Sequence, residues 1–438
     1  MADGDEDGDR LDAREEAVAP WWIIAVAGIL TQLLTTISGV LAARMLGVEG
    51  RGQVVLVAVL AATASQLTLG GSLPNAITKQ LAERRVTARD GLRRMPRKWA
   101  PWGLLAAAIA GAYLLFLEWD TSGSTKYALA AAVVLMAVQL MAQRILIGAM
   151  LGERANPVHI ALTGVLPQAL VVAVYAVATA MDADWSPVEL LSVNILCTGL
   201  VLVARLRGLA PATNRPEDRL DPTELNRLAR HTHIGSVGPI DGLAIDRMLV
   251  GSLLGNAQLG LYSVAFALGG LTNIFAICLA QVSLPHISSL QSNPEAEARF
   301  VRRWLLTTVV LLGLVVAVLE AALVPIIRVT FGPEFLDATE CARWMLLASG
   351  FLGFRRVLIA VLQGRDRGKL ASVTELALTP LVVVGIVLAA AADSLVGASV
   401  TMLCVGAAGC LVLGVAVYRS EATGIDARAA AEAEPLQS

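Results

Sequence analysis

Runs of about twenty consecutive apolar residues recur along the whole chain of 438 residues, and no other feature restricts its fold as strongly. At 1.5 Å per residue, such a run crosses the ~30 Å hydrocarbon core of a bilayer as an α-helix. Lipid offers the backbone no hydrogen bonds, so only helices or closed barrels span it. Continuous apolar runs, as opposed to ten-residue alternating ones, select helices. Composition excludes a soluble alternative: 56% of residues are hydrophobic and 16% charged, against about 25% charged in soluble proteins.

Hydropathy predicts spans at 21–43, 53–77, 100–117, 127–149, 157–180 and 188–204, then 234–254, 259–283, 304–327, 340–362, 370–391 and 395–417. The fold class is therefore all-α integral membrane, with about twelve transmembrane helices. Span seven is the weakest, because Gly235, Gly238, Pro239, Asp241, Gly242 and Asp246 interrupt it. The first nineteen residues carry eight acids against Arg10 and Arg14, the wrong charge for a signal peptide, so the first span reads as retained.

Basic residues fix an expected orientation, because Lys and Arg concentrate in cytoplasmic loops. Residues 79–98 hold eight of them (Lys79, Arg84, Arg85, Arg89, Arg93, Arg94, Arg97 and Lys98), and 205–230 hold six. Loops assigned to the opposite side contribute Arg44, Arg51, Lys126 and Arg328, with Arg343 at a helix edge. Both termini are then cytoplasmic, in a multi-pass protein of the cell membrane. The expected organisation is an acidic tail (1–20), a six-helix lobe (21–204), a Pro-rich cytoplasmic linker (205–233), a second six-helix lobe (234–417) and a disordered tail (418–438).

The halves also resemble each other. Leu46-Gly-Val-Glu-Gly-Arg-Gly52 matches Leu254-Gly-Asn-Ala-Gln-Leu-Gly260, and Ser72-Leu-Pro74 matches Ser283-Leu-Pro285. Arg144, followed by Gly152, matches Arg356, followed by Gly364, and Pro167 matches Pro380. The offsets are 208, 211, 212 and 213, which makes a duplication the simplest explanation. An even number of spans per half makes the repeats parallel, the layout of transporters whose two lobes rock about a central cavity.

Ala43-Arg-Met-Leu-Gly-Val-Glu-Gly-Arg-Gly52 resembles the signature after the first helix of oligosaccharide flippases. Ile245-Asp-Arg-Met-Leu-Val-Gly251, Leu259-Gly-Leu-Tyr-Ser-Val-Ala265 and Leu284-Pro-His-Ile-Ser288 resemble the same family's second-half signature, and Phe331-Gly-Pro-Glu-Phe335 resembles the turn before its tenth helix. The family is the polysaccharide-transporter branch of the multidrug/oligosaccharidyl-lipid/polysaccharide (MOP) exporter superfamily. The resemblance implies two lobes, alternating access, and passage of polyprenyl-diphosphate-linked sugars from the cytoplasmic to the outer leaflet. Its implied partners are the lipid-linked glycan, membrane lipids, a coupling proton or sodium ion, and polysaccharide-assembly proteins.

A diphosphate cargo needs cations in a wet cavity, and arginine's planar fork suits phosphate oxygens. Arg44, Arg144, Arg247 and Arg356 are the candidates, with a plainer reading for Arg144 and Arg356, near the cytoplasmic helix ends, as residues snorkelling to the headgroups. Arg355 and Arg356 project about 100° apart, so one at most points inward, and the match to Arg144 favours Arg356. Asp246, Glu320 and Glu375 are candidates for ion coupling, against a reading as structural pairs; Arg247, adjacent to Asp246, is expected to project elsewhere. Thr31, Gln32, Thr35 and Ser38 form a polar stripe on span one that is expected to line the cavity, although interhelical hydrogen bonding explains such stripes equally well.

The remaining motifs carry less. Gly364-Arg-Asp-Arg-Gly-Lys369 lacks the spacing and Ser/Thr of a phosphate-binding loop, so nucleotide use has no support. The five cysteines show no paired spacing, and the four histidines, His159, His231, His233 and His286, have no partner at metal-ligand spacing. No cofactor, metal, catalytic residue or nucleic-acid surface is expected, and the chain does not read as an enzyme; the basic 79–98 loop is explained by topology and anionic lipid. Two other functions compete: a cation-coupled multidrug exporter of the same superfamily, which wants cavity carboxylates that span one lacks, and a membrane-embedded glycosyltransferase or polymer ligase, which wants a long outer loop.

Overall fold

The computed structural model describes residues 21–70, 72–84, 87–89, 92, 96–117, 119, 122–153, 155–209, 225, 227–229, 242–290, 293–365 and 367–433. Helices account for nearly all of them, and no strand occurs among them. The chain forms two compact units, one drawn from Met1–Leu46 and Val57–Val237, the other from Gly47–Leu56 and Gly238–Ser438.

The first unit's helices are α1 (Trp21–Ser65, continued by a π-helical turn, Gln66–Gly70), α2 (Ser72–Arg84), α3 (Pro96–Phe116), α4 (Gly123–Gly152), α5 (Pro157–Ala180) and α6 (Pro187–Arg207). Residues 47–56 of α1 belong to the second unit. Its other helices are α7 (Ile245–Leu253), α8 (Gly255–Leu290), α9 (Pro294–Ala321), α10 (Leu323–Thr330), α11 (Thr339–Gly364), α12 (Gly368–Ala391) and α13 (Leu395–Ala433), with a 3-10 turn at Pro333–Ala338.

Among the described residues, nine helices are long and apolar enough to cross a membrane, and Ala100–Phe116 is a shorter apolar one. One of the nine, Trp22–Thr68, has 47 residues. At 1.5 Å per residue its contour is about 70 Å, roughly twice what one crossing needs, so it contains predicted span one and most of span two, whose end falls in α2. The divide is Gly47, at φ 65° and ψ −169°. That left-handed backbone suits a residue without a Cβ.

Three expectations need correction. The loop expected between spans one and two is helical on both sides of Gly47, so a single glycine makes the junction. Span seven, expected at 234–254, is helical only from Ile245 in the described part, because Ala244 at φ 48° starts the helix there; residues 234–241 lie outside the description. The tail expected to be disordered from 418 is helical to Ala433, as its Ala and Glu content favours. The 1–20 tail and most of the 205–233 linker also lie outside the described residues.

Caps and kinks follow local chemistry. Ser186 and Glu189 form a reciprocal capping box at the start of α6, Asn156 caps α5 and Asn293 caps α9. Pro167 and Pro380, which the repeat pairs, both sit inside helices, α5 and α12.

Each unit packs its helices through small residues. In the first, Gly148 and Gly152 of α4 lie so close to α2 that an added Cβ would stand 2.7 Å from the Pro74 carbonyl and 2.8 Å from the Thr78 carbonyl. Thr78 Oγ1 donates across the same contact to the Gly148 carbonyl at 2.8 Å. In the second, Gly364 of α11 packs on Ile287 of α8, where a Cβ would come within 3.0 Å. Such close approach replaces the hydrophobic drive that helices lose in lipid.

Candidate functional site

The candidate residues fall into one group in the first unit and another in the second. The first group centres on Arg144 of α4, whose guanidinium Nη1 donates to the side-chain carbonyl of Gln66. Gln66 opens the π-helical turn Gln66–Gly70 at the end of α1. A π-turn inserts one residue into the helical ladder and commonly marks a functional position. Arg144 is half-buried, and no carboxylate among the described residues pairs with it. Nothing in the amino-acid pattern singles out Gln66 beyond its being a polar amide inside a predicted span.

The polar stripe of α1 is partly open. Gln32 and Thr35 are exposed, Thr31 is half-buried and Ser38 is buried. The hydroxyls bond within their own helix: Thr31 donates to the Ala27 carbonyl at 2.7 Å, Thr35 to Thr31 at 2.8 Å and Ser38 to Thr35 at 2.9 Å. Their hydrogens are therefore satisfied without a neighbouring helix, while their lone pairs and the Gln32 amide still present a polar surface. Arg44, on the same helix toward Gly47, is exposed.

In the second unit, Asp246 lies in the first turn of α7, where the N-terminal end of a helix dipole favours a carboxylate. It is buried, with 2% exposure, and its Oδ2 accepts from the Tyr262 hydroxyl of α8 at 3.1 Å. Arg247 does not project away from it as the adjacent positions suggested, because its Nε lies 3.9 Å from Asp246 Oδ1. The same guanidinium stands over the Phe266 ring of α8 at 3.9 Å, a cation–π contact that holds it beside the acid. Tyr262 and Phe266 were not foreseen, since each is an ordinary aromatic on a predicted span.

Deeper in this unit, Arg355 of α11 is fully buried and its Nη1 lies 3.0 Å from Glu375 Oε1 of α12. Arg356, the residue favoured by the repeat, is only half-buried. The arginine turned into the helical core is thus Arg355, and Glu375 is its counter-ion. Glu320 of α9, half-buried, pairs with the exposed Arg343 of α11 at 3.1 Å. At the other end of α11, Arg365 bonds Glu297 at 2.5 Å and the Val417 carbonyl at 2.9 Å, joining α9, α11 and α13.

The two glycine motifs meet within this unit. A Cβ on Gly52 would lie 1.9 Å from the Asn256 carbonyl oxygen, and a Cβ on Gly260 would lie 2.0 Å from that of Val48. Positions 48 and 256 are 208 residues apart, as are 52 and 260, so the contact is reciprocal. Gly47 and Gly255, at the same offset, both have positive φ, 65° and 87°. The Leu-Gly-x-x-x-x-Gly pattern therefore has a mechanical meaning: one glycine breaks the helix and the next lets the returning helices touch backbone to backbone. Arg51 beside it donates from Nε to Ser263 Oγ at 3.3 Å.

Similarity to known proteins bears on this geometry. Residues 240–340, which carry Asp246, Arg247, Tyr262 and Glu320, match the family model described as polysaccharide biosynthesis protein. A multidrug resistance MATE family transporter of the MOP superfamily superimposes with a TM-score of 0.67 at 13% identity, covering 90% of this chain and 96% of that one. The lipid II flippase MurJ superimposes with a TM-score of 0.68 at 14% identity, covering 90% and 87%. The chain has the fold of the MOP-superfamily transporters. A further MOP-superfamily transporter, from Pyrococcus furiosus Vc1, covers 90% of this chain and 94% of that one at 12% identity and a TM-score of 0.54. No curated protein matches by sequence. Within this MOP fold, Arg44 and Arg144 lie outside the stretch matched by the polysaccharide family model.

Proposed function

We propose that the protein is a secondary flippase that moves polyprenyl-diphosphate-linked oligosaccharide from the cytoplasmic to the outer leaflet of the cell membrane by alternating access. The observation that carries this reading is Arg144, a cation within a membrane helix whose partner is the neutral Gln66. Intramembrane charge is costly, and such residues face the bundle interior or water. A retained positive charge there suits an anionic cargo. A multidrug exporter has the same fold, but it handles cations, and the first crossing, 21–43, contains no Asp or Glu to receive one.

In this reading Arg144, together with Arg44, Arg247 and Arg356, attracts the diphosphate, and the exposed Gln32 and Thr35 offer the glycan hydrogen bonds. Asp246 is the first candidate for ion coupling, since it is buried on α7 and touches both Tyr262 and Arg247. Glu375 is tied up by Arg355 and Glu320 by Arg343, which leaves them structural. The polysaccharide family match supports the glycan, and the basic 79–98 segment supports the orientation, with both termini cytoplasmic.

The test is flipping of a fluorescent short-chain polyprenyl-diphosphate oligosaccharide in proteoliposomes. Arg144→Ala is expected to lower the rate about 10- to 100-fold at unchanged protein abundance, the worth of a charge-assisted hydrogen bond. Arg144→Lys retains part of the rate, since charge persists without the fork. A normal rate in Arg144→Ala removes this arginine from the mechanism, and transport of cationic dyes in place of the glycolipid overturns the substrate class.

A further inference from the structure

The first unit contains a second feature, separate from Arg144 and Gln66. Between α2, α3, α4 and α6 lies a cavity of about 630 Å³. Its lining is aliphatic, including Leu73, Leu104, Val138, Leu146 and Leu206, and Arg89 is the one charged residue among the described lining residues. The volume falls within the ~300–1,000 Å³ of sites that enclose most of a small ligand. Leu104 and Val138 are exposed, at 52% and 39%, the first on the shorter apolar helix Ala100–Phe116 and the second on α4, long and apolar enough to cross a membrane, so the rim opens sideways onto hydrocarbon. Water and polar solutes gain nothing from such a space, and an aliphatic chain does.

Length and charge narrow the occupant. On α4 the lining runs from Val138 to Leu146, about 12 Å at 1.5 Å per residue, close to the ~15 Å depth of one leaflet's hydrocarbon. An ordinary acyl chain has that reach, whereas a polyprenyl tail is much longer. Arg89 stands at the helix-end side of the cavity, in a segment (79–98) with eight basic residues and only Glu83 and Asp90 as acids. No hydrogen bond or ion pair to another described residue occupies Arg89.

We infer that this cavity is a binding site for one anionic phospholipid of the leaflet facing the 79–98 segment, with an acyl chain between α3, α4 and α6 and its phosphate on Arg89. The bound lipid fills space that the helices leave open and holds Arg89 at the headgroup plane. This site is independent of the transported molecule.

Full-length protein in nanodiscs of equal phosphatidylglycerol and phosphatidylcholine, washed in detergent and weighed by native mass spectrometry, tests this. One retained phosphatidylglycerol is expected per chain. Arg89→Ala lowers that retention about fivefold, the worth of one basic residue near a lipid phosphate. Lys79→Ala, in the same segment but exposed and not among the lining residues, leaves it unchanged. Ala142→Phe, which fills the cavity, lowers retention with Arg89 intact. Equal retention of the two lipids, equal loss in Lys79→Ala and Arg89→Ala, or displacement by equimolar polyprenyl phosphate each overturns the inference. Should Ala142→Phe not fold, the Arg89 and Lys79 variants decide alone.

Discussion

The two units use arginines one residue apart in the repeat in opposite ways. On α4 of the first, Arg144 has a neutral partner, Gln66, drawn from a π-turn in the preceding hairpin. On α11 of the second, Arg355 is fully buried against the carboxylate of Glu375, and α8 continues without interruption from Gly255 to Leu290. At the offset of 211 the counterpart of Gln66 is Ile277. The first unit therefore retains a positive charge beside an irregular backbone, while the second cancels its charge inside regular helices. The matched halves keep their glycines and differ in their ions, a difference that fits the anionic cargo proposed above for the first.

The largest effect is expected from breaking the second unit's pair. Arg355→Met removes the fully buried cation that lies 3.0 Å from the half-buried Glu375 carboxylate and should destabilise the protein by about 3–5 kcal/mol, whereas Arg355→Met with Glu375→Leu should recover most of that loss. Arg144→Met should cost about 1 kcal/mol, because it leaves only a neutral amide behind. Thermal unfolding in detergent, followed by size-exclusion fluorescence, checks this. Equal losses in the two arginine variants would erase the distinction between the units.

Where the repeats agree, the effects should agree. Gly52→Ala and Gly260→Ala each drive a methyl into a carbonyl, and each should cost about 1–3 kcal/mol on the same assay. A large loss in one and none in the other would show that the contact is not reciprocal.

The smallest stability effect is expected at Gln66→Ile, which gives the first unit the second's residue. Stability should change by under ~1 kcal/mol, while flipping falls about tenfold as Arg144 loses its orienting acceptor. Unchanged flipping would separate the π-turn from transport.

Much of this was legible in the chain before any coordinates. Apolar length placed the helices, and the matched glycines at 47/255 and 52/260 marked both junctions. Pairing was not legible, because it depends on how helices rotate against each other. Repeat alignment chose Arg356, yet a rotation of one residue puts Arg355 against Glu375. Hydropathy also cannot register a π-turn, since Gln66–Gly70 differs from α-helix by one inserted residue and no composition signal. Asp246 and Arg247 were read as diverging neighbours because ideal spacing ignores Phe266, which bends the guanidinium back. The junction at 44–52 was read as a loop because its charges and glycines imitate one.

The reciprocal glycine contact also limits how the protein can move. With Gly52 against the Asn256 carbonyl and Gly260 against the Val48 carbonyl, no side chain fits on either surface. Sliding one helix along the other by about one turn, 5.4 Å, would bring a side chain from the same face, that of Val48 or Leu56, toward that carbonyl. Shear is therefore sterically blocked, while tilting about the glycines, or lifting straight apart, meets no such obstacle. The crossing acts as a pivot with its translational freedom removed, so any rearrangement there must proceed by rotation or separation.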